Sequence, residues 1–232
     1  MLTVNDRRFS LVRSSSGLDV TLGLEEYFGG QQHWRLVLYY VPADEDGGNR
    51  YELPEMWCLA VDPISLKITD WREDLGHLHV GGESENDFIP LIGSFTNIVE
   101  RRYTVPASFE LAPHELRVIR RNGLLLTMEM DGEIRASESD EGSKQEKADA
   151  EELRVTGDFR LMDEVPMTGA FVHVPVNVKD PVAYARKIAA RDLKLHEFGE
   201  RSHVTPYNPD CPWPRRIGRG THTVRLTTSW HG

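Results

Sequence analysis

The dipeptide Asn122-Gly123, set inside "HELRVIRRNGLLLTMEMDGEI" (114–134), constrains the fold more than any other feature of the chain. It joins two β-prone runs, and a two-residue hairpin turn favours this pair because both central positions take positive φ. The spacing predicts a β-hairpin centred on 122–123. A lone hairpin is marginal in water, so further strands or a helix must cover its apolar face. The flanking sequence supplies them. "FSLVR" (9–13) and "LDVTLG" (18–23) surround Ser14, Ser15, Ser16 and Gly17, which reads as a second hairpin with a flexible connection. "WRLVLYYVP" (34–42), "EMWCLAVDP" (55–63) and "SLKITDW" (65–71) each read as a strand, with Asp62-Pro63 as the turn between the last two.

Further along, "AFVHVPVNV" (170–178) alternates. Val172, Val174, Val176 and Val178 share one face and Phe171, His173, Pro175 and Asn177 the other, so the valine face is the expected core face. In the final run "THTVRLTTSWHG", Val224, Leu226 and Trp230 fall on one side, as for a strand that ends inside the sheet. One helix is predicted in "KDPVAYARKIAARDLKLHEFG", near 181–197, with Asp180 as N-cap, Pro181 at the first helical position and Gly199 as the stop. Val182, Ala185, Ala189 and Leu193 keep the helical period, and Tyr184, Ile188 and Leu195 widen the stripe. The expected fold is therefore mainly β, an antiparallel β-sandwich or distorted barrel with one amphipathic α-helix.

All-β folds of 232 residues are often one domain, so 1–232 is read as a single β-rich unit with no internal repeat. Within it, 137–152 lacks any aromatic or β-branched residue and reads as a mobile acidic loop between strands, with an interdomain linker as the alternative. The hydrophobic fraction of 39% beside 28% charged residues lies in the globular range. No apolar run approaches the roughly 18 to 20 residues that span a bilayer, and charges interrupt the N-terminal "MLTVNDRRFSLVRSSSG", so neither a membrane span nor a signal peptide is predicted. Cys58 in an apolar run and Cys211 in a proline-rich one read as reduced thiols, and the predicted setting is cytoplasmic.

A net charge of −10 makes nucleic acid an unlikely partner, because sequence-independent phosphate binding needs clustered Lys and Arg. The charge is uneven, however. Residues 138–152 hold seven acids against Lys144 and Lys147, whereas Arg201, Arg215, Arg216, Arg219 and Arg225 face only Asp210 from 201 onward. A local basic patch near the C-terminus follows.

Two constellations carry chemistry. In "GHLHVGGE" (76–83), His77 and His79 point the same way if the run is a strand, and with Glu83 they form a two-histidine, one-carboxylate set suited to Fe, Zn, Ni or Mn. Here the chain resembles the cupins, whose first metal motif is His-x-His followed by Glu and whose second contributes a histidine before an asparagine, as in His173-Val-Pro-Val-Asn177. The resemblance implies a metal-dependent enzyme of oxygenase or isomerase type using His77, His79, Glu83 and His173. It spans about twenty residues. Trp71 and Pro90 stand where cupins carry glycines, and Pro166-x-x-Gly169-x-x-x-His173 is longer than their second motif. Alternation also sets these histidines opposite Leu78, Val80 and the valine face, hence toward solvent if the apolar faces are the interior.

The second constellation is the long Pro/Arg-rich loop at 200–220, where Tyr207, Trp213, Arg215, Arg216 and Arg219 lie close together. Aromatic and Arg side chains dominate interface hot spots, and arginines clamp carboxylates and phosphates bidentately. The alternative is a strand connection whose arginines are solvated or pair with 138–152. No Gly-x-Ser-x-Gly elbow, P-loop or dinucleotide fingerprint occurs, and Glu25, Glu26, Glu83, Glu85 and Asp87 read as solvated turn carboxylates. The leading expectation is a non-catalytic β-scaffold that presents the 200–220 loop to a protein partner, a second copy or a small anionic ligand. A cupin-like enzyme stands second, and nucleic-acid binding by the C-terminal basic segment third.

Overall fold

A computed structural model describes residues 1–4, 7–23, 32–43, 56–66, 68–75, 79–81, 93–97, 108–136, 157–199, 201–206 and 221–228. Along these the elements are β1 Leu2–Val4, β2 Arg7–Leu11, β3 Gly17–Leu22, β4 Gln32–Pro42, β5 Trp57–Leu66, β6 His79–Gly81 and β7 Gly93–Asn97, then β8 Ser108–Asn122, β9 Leu125–Ala136, β10 Gly157–Pro175, α1 Pro181–Leu193, β11 Ser202–Thr205 and β12 Thr221–Thr227. All the strands join one sheet in the order β1-β2-β4-β5-β7-β8-β9-β10-β12-β11, with β3 lying between β4 and β10 and β6 on the edge of β8. Every pairing is antiparallel save β3 with β10. Followed through β3, β4, β5, β7, β8, β9 and β10, the ladder returns to β3, so the sheet curls into a barrel-like form. Among the described residues the fold is mainly β with a single helix, as the hydrophobic periodicity predicts.

Alternation places the core on the concave face. Leu18, Val20 and Leu22 of β3, Trp34, Leu36, Leu38 and Tyr40 of β4, and Leu59 and Val61 of β5 are all buried at every second position. From Leu161 to Val174, β10 keeps this face only because its parity changes once. Leu161, Val165 and Met167 are buried at odd numbers, a bulge falls between Met167 and Gly169, and Ala170, Val172 and Val174 continue at even ones. The hydroxyl of the fully buried Tyr40 donates to Asp163 at 3.3 Å, giving that polar tip a partner.

The Asn122-Gly123 hairpin forms, but shifted by one residue. Asn122 pairs with Leu125, so the central residues are Gly123 and Leu124, and Gly123 has φ 59°. Positive φ at the first central position alone marks a type II′ turn, in which Asn122 stays in the strand. Asp62-Pro63 is likewise inside an element: β5 runs straight through it. Leu36 opposes Val61 while Trp34 opposes Ile64, and this bulge accommodates a proline that has no N–H to give the ladder.

β2 and β3 do not form the expected hairpin. Both run antiparallel to β4, Leu11 opposite Tyr40 and Gly17 opposite Val37, one after the other along its edge. Buried Ser16 makes this possible. Its hydroxyl accepts the Tyr39 N–H at 2.8 Å and donates to the Val12 carbonyl at 2.8 Å, standing in for the backbone partner missing at the break. Ser16→Ala is expected to cost about 1–3 kcal/mol, the penalty of a buried unsatisfied N–H, in urea unfolding.

α1 begins as predicted, with Asp180 accepting from the Ala183 N–H at 3.0 Å and Pro181 at the first position. It ends at Leu193 instead of running to 197, because Lys194 adopts the left-handed conformation at φ 53°. The N–H groups of Lys194 and Leu195 reach back to the carbonyls of Ala190 and Ala189. Ala185, Ile188, Ala189 and Leu193 are buried on the side that meets β10, β12 and β11, whereas Tyr184 is exposed. Val172 and Val174 are core residues; the strand then stops at Pro175, whose carbonyl accepts the Val178 N–H in a turn, and Val176 is exposed. No helix among the described residues is long and apolar enough to cross a membrane.

Candidate functional site

Residues on the convex face of the β4–β3–β10–β12–β11 region alternate with the core set and line up across five strands. The register gives one continuous row: His33 of β4 opposite Thr21 of β3, Thr21 opposite Phe171 of β10, Phe171 opposite Arg225 of β12, and Arg225 opposite His203 of β11. Arg225 and His203 are exposed, and Phe171 and His33 are half-buried. The Arg225 guanidinium lies 5.5 Å from the centre of the Phe171 ring. Such stacking fixes the guanidinium plane while its in-plane N–H groups keep the fork geometry that suits a carboxylate or phosphate.

A second row runs beside the first. Asp19 stands between Arg35 on β4 and Gly169 on β10, and the Thr168 hydroxyl donates to its carboxylate. Burial pushes the Asp19 carboxyl up from its ordinary value, against the Thr168 hydrogen bond and the charges of Arg225 and Arg35, which favour the ionised form. On the other flank His173 pairs with Thr223, which pairs with Thr205, and the Thr223 hydroxyl lies 3.4 Å from His173 Nδ1. Burial pushes the His173 imidazole below its ordinary value, so the ring is neutral at neutral pH. His173 thus faces away from the core, as alternation predicts.

The loop expected at 200–220 is shorter than that, because Ser202–Thr205 form β11 and only 206–220 joins it to β12 at this end of the sheet. β11 and β12 pair antiparallel from Ser202–Leu226 to Thr205–Thr223, and Thr221 lies opposite Pro175 of β10. Tyr207, Trp213, Arg215, Arg216 and Arg219 themselves lie outside the described residues. The row of Phe171, Arg225 and His203, which sequence reading passed over, stands at the root of that loop. Its signal was present in the odd-numbered positions of "AFVHVPVNV" and "THTVRLTTSWHG", but only the register brings them side by side.

The metal-motif residues are placed differently. His77 and Glu83 lie outside the described residues, and His79 opens β6 opposite Arg117 of β8. Arg117 opposes Glu129 of β9, and Glu129 opposes Met162 of β10. His173 is eleven residues further along β10, about 36 Å of strand, so the register does not bring His79 and His173 together. Among the described residues no group of three or more His, Cys, Asp or Glu side chains is arranged to hold a metal ion. The Arg117–Glu129 pair on this part of the sheet is a charge-assisted contact with N–O separations of 2.7 and 2.9 Å, and Glu129 is buried.

The acidic loop has its root at the far end of β10. Ile134 of β9 opposes Gly157, so 137–156 connects two directly paired strands. Asn122-Gly123 and the helix cap are structural. Comparison with protein-family models, with curated proteins and with solved structures finds no match to this chain.

Proposed function

We propose that this protein is a non-catalytic binding or assembly module, in which the curled sheet presents the 200–220 loop, with Tyr207, Trp213, Arg215, Arg216 and Arg219, to a protein partner or an anionic ligand. The observation that supports this reading is the root of the loop. Its two ends are tied into an antiparallel pair beside the Arg225–Phe171 stack, so a guanidinium and an aromatic ring of the scaffold stand where the loop leaves the sheet. A rigid root lowers the entropy lost when a loop is ordered by a ligand. The Cys58 thiol suits a reducing, cytoplasmic setting.

The test is a Trp213→Ala/Arg215→Ala/Arg216→Ala variant. Tripolyphosphate binding by calorimetry and oligomeric state by sedimentation velocity are measured beside the wild type. Loss of either property, with an unchanged far-UV circular dichroism spectrum, is the expected result. Unchanged behaviour in both overturns the reading. About one metal ion per purified wild-type chain, lost in His77→Ala/His79→Ala, would put the cupin-like enzyme in its place.

A further inference from the structure

The two charge blocks of the sequence have their roots at opposite ends of one strand. The acidic segment 138–152, seven acids against two lysines, leaves the ladder where Ile134 meets Gly157. The basic C-terminal segment adjoins the row at Phe171, fourteen residues further along β10. That is about 46 Å of strand at roughly 3.3 Å per residue. A connection of twenty residues with both ends at one root reaches out at most half its contour, about 34 Å. Measured along the strand, the acids of one copy fall short of its own basic row.

We infer that the convex row of His33, Phe171, Arg225 and His203, flanked by Arg35, is a docking surface for the acidic 138–152 segment of a second copy of this chain. The inference rests on the binding reading above in that the 200–220 loop leaves the sheet from the strands that carry this surface. Opposite charge at the two ends of one strand favours pairing between copies, head to tail, and such a contact is heterologous and open-ended. Exposed Arg225, Arg35 and His203 supply the charged and hydrogen-bonding groups, and the ring of Phe171 holds the central guanidinium in place. Asp19 lies near enough to Arg35 and Arg225 for both charges to favour its ionised form, and it offsets part of their charge. An acidic peptide suits this surface better than a nucleic acid does, because sequence-independent phosphate binding needs clustered Lys and Arg, whereas this row and its flank hold Arg225 and Arg35.

The experiment uses the full chain and a labelled peptide of residues 137–156. In sedimentation velocity the wild type forms species that grow with concentration at low salt and dissociate at about 0.5 M salt, where the Debye length falls below roughly 5 Å. Fluorescence anisotropy shows the peptide bound by the wild type and bound about tenfold or more weakly by Arg225→Glu/His203→Glu. A second variant, Glu141→Lys/Glu146→Lys/Glu151→Lys/Glu152→Lys, does not self-associate but recovers association when mixed with Arg225→Glu/His203→Glu. A wild type that sediments as a monomer at every salt concentration overturns the inference, as does equal peptide binding by Arg225→Glu/His203→Glu. Binding of a single-stranded oligothymidine in place of the peptide also overturns it. If tripolyphosphate binding is lost in the Trp213→Ala/Arg215→Ala/Arg216→Ala variant while the wild type stays monomeric, the inference falls and the loop reading stands. If neither set of variants changes anything, both fall.

Discussion

Trp34→Ala is expected to destabilise the protein by about 3–5 kcal/mol, the range for removing a large aromatic side chain from a close-packed core. Trp34 is fully buried on β4, opposite Val20 of β3 on one side and Ile64 of β5 on the other. The indole does more than fill space. Its N–H donates to Gln32 Oε1 at 3.2 Å, the same oxygen accepts the Ile68 N–H at 2.9 Å, and the Gln32 amide donates to the Ile68 carbonyl. Through Gln32, β4 thus holds the 68–75 segment, in which Trp71 and Leu75 are buried, Trp71 beneath the Arg121 guanidinium at 4.5 Å. Alanine at 34 leaves a cavity and removes one partner of that glutamine. Equilibrium urea unfolding reads the effect as a fall in midpoint at unchanged slope. Trp34→Phe should retain most of the packing and recover more than half the loss. A midpoint unchanged by Trp34→Ala would mean that β4 is not at the centre of the core.

Gly169→Ala is the second large effect, expected at about 3 kcal/mol, toward the upper end of what overpacking costs. Gly169 lies just past the β10 bulge, paired with Asp19 on one side and Thr227 on the other. A Cβ built there comes 2.2 Å from the Leu226 carbonyl oxygen, 3.2 Å from its carbon and 3.3 Å from Thr227 Cα. All three are backbone atoms, so no side chain rotates away to make room, and β12 must shift. The control is Gly123→Ala. A Cβ at 123 meets nothing within 4 Å, and only its φ of 59° is strained, which costs an L residue about 1–2 kcal/mol. Urea midpoints should rank wild type, Gly123→Ala, Gly169→Ala in falling order. If Gly169→Ala unfolds with the wild type, β12 does not approach β10 as closely as the register requires.

The helix shows what a sequence reveals and where it stops. Asp180-Pro181 marks its start because capping and the proline φ are local events, satisfied within three residues. Its end was misplaced at Gly199 because the helical period continues through Leu195. Lys194 takes the left-handed conformation although a lysine pays for the Cβ there. Two tertiary contacts accompany it: Lys194 Nζ lies 3.0 Å from Asp70 of the 68–75 segment, and the Leu193 carbonyl accepts the Trp71 N–H at 3.0 Å. Neither is visible in a local window.

The candidate site divides in the same way. That His173 faces away from the valine side was legible from period-two alternation, and the basic character of the C-terminal segment from counting charges. That His33, Phe171, Arg225 and His203 stand in one row was not, because they come from strands far apart in the chain and their neighbours are chosen by pairing. The same pairing separates His79 from His173, which a linear motif sets in sequence order without regard to distance.

Alone, the sequence determined the β-rich class, the faces of β10 and β12 that turn inward, the central hairpin and the start of α1. Each of these follows from interactions that span a few residues: side-chain alternation, a turn that needs glycine, and a cap. Tertiary structure alone decided that β2 and β3 share the edge of β4, that β5 passes through Asp62-Pro63, that β3 closes the sheet parallel to β10, and which polar side chains meet on the convex face. Those choices depend on burying the apolar faces of strands distant in sequence with every backbone group paired. That condition belongs to the whole chain and to no segment of it.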